Sequence, residues 1–359
     1  MIRRIDLTLY DWPLAIVALG INIAGLFILA SAAPNPRLWK AQVLWTVLAI
    51  VAAALIQLLR KNTIYKYSLW LYLFTLLLLI VVLLVGREVN GAKSWFVFGP
   101  IRLQPSELAK LAIIITLAYY LRNKRLQRIS DYLGAVLISI PPIGLTLIEP
   151  DLGSALVMSA VVFGILFVRG LPWKHILLAV MLVAVATPSL VWPHLKPYQQ
   201  ERILVVINPA RDPLGAGFQV IQSMIAIGSG GVMGKGYGQG TQAQLGFIPE
   251  RQTDFIFSVL AEEMGLVGAL AILLAYAAML YRLSSMAMEV LQDGDRLLIA
   301  GVITLLAFQI LVNVGVTLGV APVTGITLPL FSYGGTSLLT TYLALGLAQL
   351  VYRDRYEPI

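Results

Sequence analysis

Apolar runs of about twenty residues, each closed by a short polar break, recur along most of the chain. A helix rising 1.5 Å per residue needs roughly that length to cross the ~30 Å hydrocarbon core of a bilayer. The pattern predicts about ten spans: Trp12–Ser31, Trp39–Leu59, Tyr67–Gly86, Ser106–Leu121, Asp131–Ile148, Gly153–Val168, Trp173–Trp192, Asp254–Tyr281, Asp295–Val320 and Ser332–Tyr352. Only RGLPWK (169–174) parts the sixth from the seventh. The short alternating segments of a transmembrane barrel are missing. The expected fold is an all-α polytopic membrane protein, one integral domain over 1–359. Its first run resembles a signal peptide, with Arg3-Arg4 before it and Ala30-Ser31-Ala32 after it. The length of that run, the acids Asp6 and Asp11, and the spans that follow favour a retained helix.

Two inter-span segments are long. One is 87–104; the other, 193–253, holds about 60 residues and is read as a large extracytoplasmic loop between spans seven and eight. Loops of that length are functional or disordered. The apolar stretches Ile203–Ile207 and Phe218–Ile227 argue for order, and GFQVIQSMIAIGSGG reads as an amphipathic helix at the membrane surface.

Composition sharpens the class. Of 359 residues, 59% are hydrophobic and 12% charged, and mean hydropathy is +0.84; soluble domains carry about twice that charge. With no cysteine and two histidines, disulfides, thiolate metal sites and His clusters are excluded. The net charge of +8 matters through its distribution rather than as a sign of nucleic acid. If Arg3 and Arg4 face inward, short inner segments hold fifteen Lys/Arg (Arg60, Lys61, Arg122 and Arg353 among them) against five outside (Arg37, Lys40, Arg87, Lys93, Arg102). That bias places both termini in the cytoplasm.

Ionisable residues at membrane depth are costly and favour function. Glu107 and Lys110, three apart, share a helix face and form either a packing ion pair or a charged cavity. Glu149 and Asp151 flank Pro150 in a solvated turn or a ligand site. Asp254 stands before Phe255-Ile256-Phe257, at the lip of a span, as a helix cap or a reactive carboxylate. Glu262 and Glu263 read as packing partners, and Gln309, Asn313 and SYGGTS (332–337) knit helices or line a cavity. AIGSGGVMGKGYGQG (226–240) fails as a Walker loop, with Ser229 and Gly236 at required positions, and reads as a flexible surface loop. Lys93, Arg102, Lys110, Arg202, Lys235 and Arg251 with Glu107, Asp151 and Asp254 make a set of cations and carboxylates suited to an amphiphilic, phosphorylated lipid.

GREVNGAKSWFVFGPIRLQPSELAK (86–110), EPDLGSA (149–155), QQERILVVINPARDPLGAGFQ… through …FIPERQTDFIFSVLAEEMG (199–265) and PVTGITLPLFSYGGTS (322–337) resemble the SEDS family (shape, elongation, division and sporulation) over almost the whole chain. NPARDPLGAGFQVIQS and FIPERQTDF are closer to its rod-shape branch than to its division branch. The resemblance implies a peptidoglycan glycosyltransferase that polymerises lipid II, a disaccharide-pentapeptide on undecaprenyl pyrophosphate, at the outer face of the cytoplasmic membrane. It also implies a class B penicillin-binding protein as partner. Carried over by position, the family's essential aspartate is Asp254, its GAxxW tryptophan is Trp95, and its QPSELAK charges are Glu107 and Lys110, with Arg102 just upstream. Ser94 departs from the Arg that many relatives have before the tryptophan. The expected chemistry is general-base catalysis by Asp254 on the acceptor's 4-hydroxyl. Arg102, Lys110 and Arg202, or a divalent cation (Mg²⁺ or Mn²⁺), would neutralise the leaving pyrophosphate. A lipid II flippase and a non-catalytic scaffold are the alternatives.

Overall fold

The computed structural model describes residues 9–357 except 34, 90–91, 99–100, 187–191, 195–199, 202–203, 207 and 213–214. Its elements run α1 (Trp12–Ala32), α2 (Pro36–Ile56), α3 (Lys61–Lys66), α4 (Ser68–Val85), β1 (Arg87–Val89), β2 (Ala92–Phe98), β3 (Ile101–Leu103), α5 (Pro105–Leu121), α6 (Ile129–Ile148), α7 (Leu152–Val168), α8 (Trp173–Ala186), α9 (Ala216–Gly230), α10 (Thr241–Gln244), α11 (Ile256–Glu289), α12 (Asp293–Thr317) and α13 (Gly335–Arg353). Every expected span has its helix. Six are long and apolar enough to cross a membrane by themselves; α5, α7, α8 and α13 are shorter or more polar.

Local chemistry sets the boundaries. Asp11 caps α1, its Oδ1 accepting Leu14 N–H at 2.8 Å, and Asn35 caps α2 by accepting Arg37 N–H at 2.9 Å. Pro36 and Pro105 open their helices, where a missing N–H costs nothing. Pro141 and Pro142 sit inside α6 and leave carbonyls a turn back without their helical donors. The Tyr72 hydroxyl on α4 supplies one replacement, donating to Ile138 C=O at 2.7 Å.

Almost all of α5 is buried, with α4, α7 and α12 packed around it. Outward positions such as Leu69, Trp70, Leu84 and Leu274 are apolar and exposed, as a lipid-facing surface requires. Lipid is as apolar as leucine, so close packing and buried hydrogen bonds hold the helices together. At the end where α1 begins and α13 finishes, Lys61 Nζ bonds Asp295 Oδ2 at 2.6 Å and the Tyr65 hydroxyl bonds Oδ1 at 2.9 Å, with Lys61 and Asp295 fully buried. Asp354 accepts Lys61 N–H at 3.2 Å and pairs with Arg353 at 2.8 Å. Arg282 pairs with Asp11, whose N–H donates to Gln349.

Four expectations change at the opposite end. Residues 87–104 form a three-stranded antiparallel sheet, Arg87 opposite Trp95 and Val97 opposite Arg102. The tenth helix starts at Gly335 rather than Ser332, because the Ser332 hydroxyl accepts Leu328 N–H at 2.9 Å and closes a turn first. Helix α9 is where an amphipathic helix was expected, but it packs on α11: the buried Ser223 hydroxyl meets Ser258 at 2.6 Å and Thr317 C=O at 2.7 Å. Finally, α11 breaks at Gly265 (φ 65°, ψ −164°), in backbone space open essentially to glycine.

That break corrects the reading of 226–240 as a flexible loop. The glycine run docks on it: Leu266 N–H donates to Gly231 C=O at 2.9 Å, and Lys235 and Gly236 N–H donate to Glu262 and Glu263 C=O at 3.0 Å. A Cβ at Gly234 would lie 2.2 Å from Glu263 O, so the glycines permit backbone-to-backbone contact.

Candidate active site at the loop end

Asp254 lies half-buried two residues before α11. Two elements fix the backbone of residues 252–254. Asn313 Nδ2 of α12 donates to Asp254 C=O at 3.1 Å and to Ile326 C=O at 2.8 Å. The Ser332 hydroxyl donates to Thr253 C=O at 2.7 Å, and Tyr333 N–H to Gln252 C=O at 2.9 Å. The N-cap position belongs to Phe255, and no side chain caps there. The surroundings hold the main chain of Asp254 in place.

A second carboxylate is held by side chains. Asp151 caps α7, its Oδ1 accepting Ser154 N–H at 2.9 Å while Oδ2 accepts Gln104 Nε2 at 2.7 Å and the Ser106 hydroxyl at 3.3 Å. The same α7 turn touches the loop that Asn313 binds, since a Cβ on Gly153 would meet Thr324 O at 2.4 Å. One turn into α5, Lys110 Nζ bonds Glu107 Oε1 at 2.8 Å, both buried, and Glu107 Oε2 has no partner. The sheet joins this wall through Arg102, whose carbonyl accepts the Thr336 hydroxyl at 2.8 Å and whose side chain is exposed. Trp95, on β2, is half-buried against the outer end of α4.

Two expected substrate cations have other attachments. Lys235 pairs with the fully buried Glu262 at 2.7 Å. Glu262 also accepts Gln242 N–H at 2.9 Å, Ala243 N–H at 3.2 Å and the Thr241 hydroxyl, so this carboxylate anchors α10 and the glycine run. Arg251 Nε donates to Ala32 C=O, the last residue of α1, at 2.7 Å, a cation at a helix C-terminus. Its Nη1 has no partner, and burial lowers its pKa. Arg202 lies outside the described residues.

Sequence reasoning read Glu149 as part of a solvated turn or a ligand site and missed its burial. It is fully buried at the end of α6 with neither carboxylate oxygen partnered, and burial, then the charge of Asp151, raises its pKa to about 8. Glu149 therefore carries its proton at neutral pH. Gln104 and Thr336 were also missed as tethers, although both lie in the quoted motifs. Among the described residues no three His, Cys, Asp or Glu gather as a metal cage. Both oxygens of Asp151 accept hydrogen bonds from protein donors.

Helices at all ten expected spans, six of them long and apolar enough to cross a membrane, with a rigid carboxylate and a buried ion pair beneath a small sheet, define a polytopic membrane protein with a polar site at one end. The cell cycle protein family of FtsW, RodA and SpoVE matches residues 16–357, and the chain belongs to this family, the SEDS proteins. It is 39% identical to the peptidoglycan glycosyltransferase MrdB of Escherichia coli K12 over 80% of this chain and 78% of that one. It is 37% identical to the probable peptidoglycan glycosyltransferase FtsW of Halothiobacillus neapolitanus, over 80% and 71%. A chain solved in a peptidoglycan synthase complex that polymerises and crosslinks superposes with a TM-score of 0.87 at 48% identity, covering 97% and 99%. Thermus thermophilus rod shape determining protein RodA superposes at 0.76 and 40%, covering 97% and 98%.

Proposed function

We propose that this chain is a peptidoglycan glycosyltransferase of the elongation branch, polymerising lipid II with Asp254 as general base. The rigid seat of Asp254 supports this reading most directly. A general base must be fixed within hydrogen-bond reach of the proton it takes, and bonds from α12 and the 332–333 turn clamp residues 252–254. The 4-hydroxyl of the acceptor sugar gives its proton to Asp254. Its oxygen bonds to C1 of the donor's muramic sugar with inversion, and the C1–O bond to undecaprenyl pyrophosphate breaks. Lys110 and Arg102 stand on the α5 side of the site and suit the departing negative charge. Asp151, bound to Gln104 and Ser106, holds the sheet-to-α5 junction against α7.

The start of α1 and the end of α13 share one end of the bundle, and the positive bias assigns that end to the cytoplasm of an inner-membrane protein. The sheet and Asp254 then face outward, where a class B penicillin-binding protein crosslinks the product. Purified chain and transpeptidase partner, given lipid II, should form glycan strands resolvable on a gel. Lipid II crossing liposome membranes without strands would instead identify a transporter.

A further inference from the structure

A cavity of about 650 Å³ opens beside the outer end of α4, beneath the sheet. Phe74, Leu78, Val81 and Val85 of α4 form one wall, at spacings of three and four that keep them on one helix face. Leu108 of α5 and Trp95 of β2 close it, and Arg87 is the one charged residue in the lining among the described residues. Phe74 is 52% and Val85 69% exposed, so the cavity opens sideways onto the lipid-facing surface of the bundle. Its size lies within the ~300–1,000 Å³ typical of small-molecule sites.

The groove lies back to back with the polar site. On the first turn of α5, Leu108 faces the groove, while Glu107 and Lys110, within about 5 Å along the same axis, are buried in the bundle. The sheet spans both. Arg87 stands in register with Trp95, and β3 is tied to the head of α13 through Arg102 and Thr336. An apolar groove alone does not select an occupant here, because bilayer chains are as apolar as its walls. Selection needs a head group, and the single cation at this rim matches a phosphate.

Building on the glycosyltransferase reading, we propose that this groove seats the isoprenoid chain of the acceptor lipid II, with Arg87 pairing with the pyrophosphate that the acceptor retains. A chain lying along α4 places its phosphates at the sheet, and its sugar then reaches across the sheet toward Asp254.

The test uses the purified chain with its penicillin-binding partner and lipid II carrying either the natural C55 chain or a C20 chain. Leu78→Trp and Val81→Trp fill the groove; Ile80→Trp, turned about 160° from Leu78 on the same helix, is the control. The groove-filling variants should raise KM for the C55 substrate at least tenfold with kcat within twofold, and change KM for the C20 substrate less than threefold. Arg87→Gln should raise KM for both. An unchanged C55 KM, or an equal rise for both chain lengths, overturns the proposal. If the tryptophan variants fail to fold, wild-type protein is irradiated with a diazirine-bearing polyprenyl pyrophosphate. Labelling of Phe74 to Val85 that lipid II competes away supports the proposal. Labelling elsewhere, or groove labelling by a photoreactive phosphatidylglycerol that lipid II does not displace, contradicts it. Loss of all strand formation by the unmodified complex would refute the glycosyltransferase reading, whereas normal strands with no dependence on chain length would refute only the groove.

Discussion

The two ends of the bundle bury charge in different ways. At the end where α1 begins and α13 finishes, both oxygens of Asp295 have donors, Lys61 and Tyr65, and Asp354 is shared between Lys61 and Arg353. At the loop end, Glu107 Oε2 and both oxygens of Glu149 are buried carboxylate oxygens without partners, whereas the buried orphans at the first end include an amide oxygen, Gln57 Oε1, and a guanidinium nitrogen, Arg282 Nε. Satisfied buried charge locks helices in place, whereas unsatisfied polar atoms carry a free-energy cost that a structure keeps for a reason. The contrast assigns the first end to architecture and the second to chemistry.

The contrast can be broken by mutation. Lys61→Ala leaves Asp295 buried and uncompensated, which should cost about 3–5 kcal/mol. Denaturation of the detergent-purified protein should show this, while activity per folded molecule stays within twofold. Asp151→Ala removes a helix cap costing about 1 kcal/mol, yet should lower strand synthesis at least tenfold by releasing Gln104 and Ser106. Equal losses of stability from these two variants, with equal losses of activity, would erase the distinction between the ends. Lys235→Gln sharpens it, since a cation attached to Glu262 belongs to architecture. It should cost about 1 kcal/mol with a normal turnover per folded molecule.

Glu149 provides the most diagnostic effect, read as a slope in pH. Its pKa rises from 4.5 unfolded to about 8 folded, so between those values the native state holds the extra proton. Stability from this group therefore falls as pH rises through that window and levels off above it. Glu149→Gln removes the slope. Its Tm should exceed that of the native protein at pH 8, and the gap should narrow toward pH 5.

The spans were legible because a bilayer forces long apolar runs, and helices occupy all ten positions. Asp254 was legible for the same reason, as a carboxylate standing where desolvation is expensive. The sheet at 87–104 was not, since two of its strands have three residues and WFVF does not alternate. Nor does sequence show that Glu262 reaches back 27 residues to Lys235, or that Arg251 spends its Nε on the end of α1. Glycines 231–240 looked loose by composition; only the break at Gly265 reveals them as backbone packing. Burial made Glu149 notable, and burial of a turn residue is a tertiary property with no local signature.

The central claim is that Asp254 accepts a proton in the transfer step, and single-turnover glycan formation by Asp254→Asn in the intact synthase complex tests it. General-base removal should slow that step by about 10²–10⁴-fold in variant protein that is folded and paired with its partner. A variant that polymerises lipid II at the native rate would contradict it.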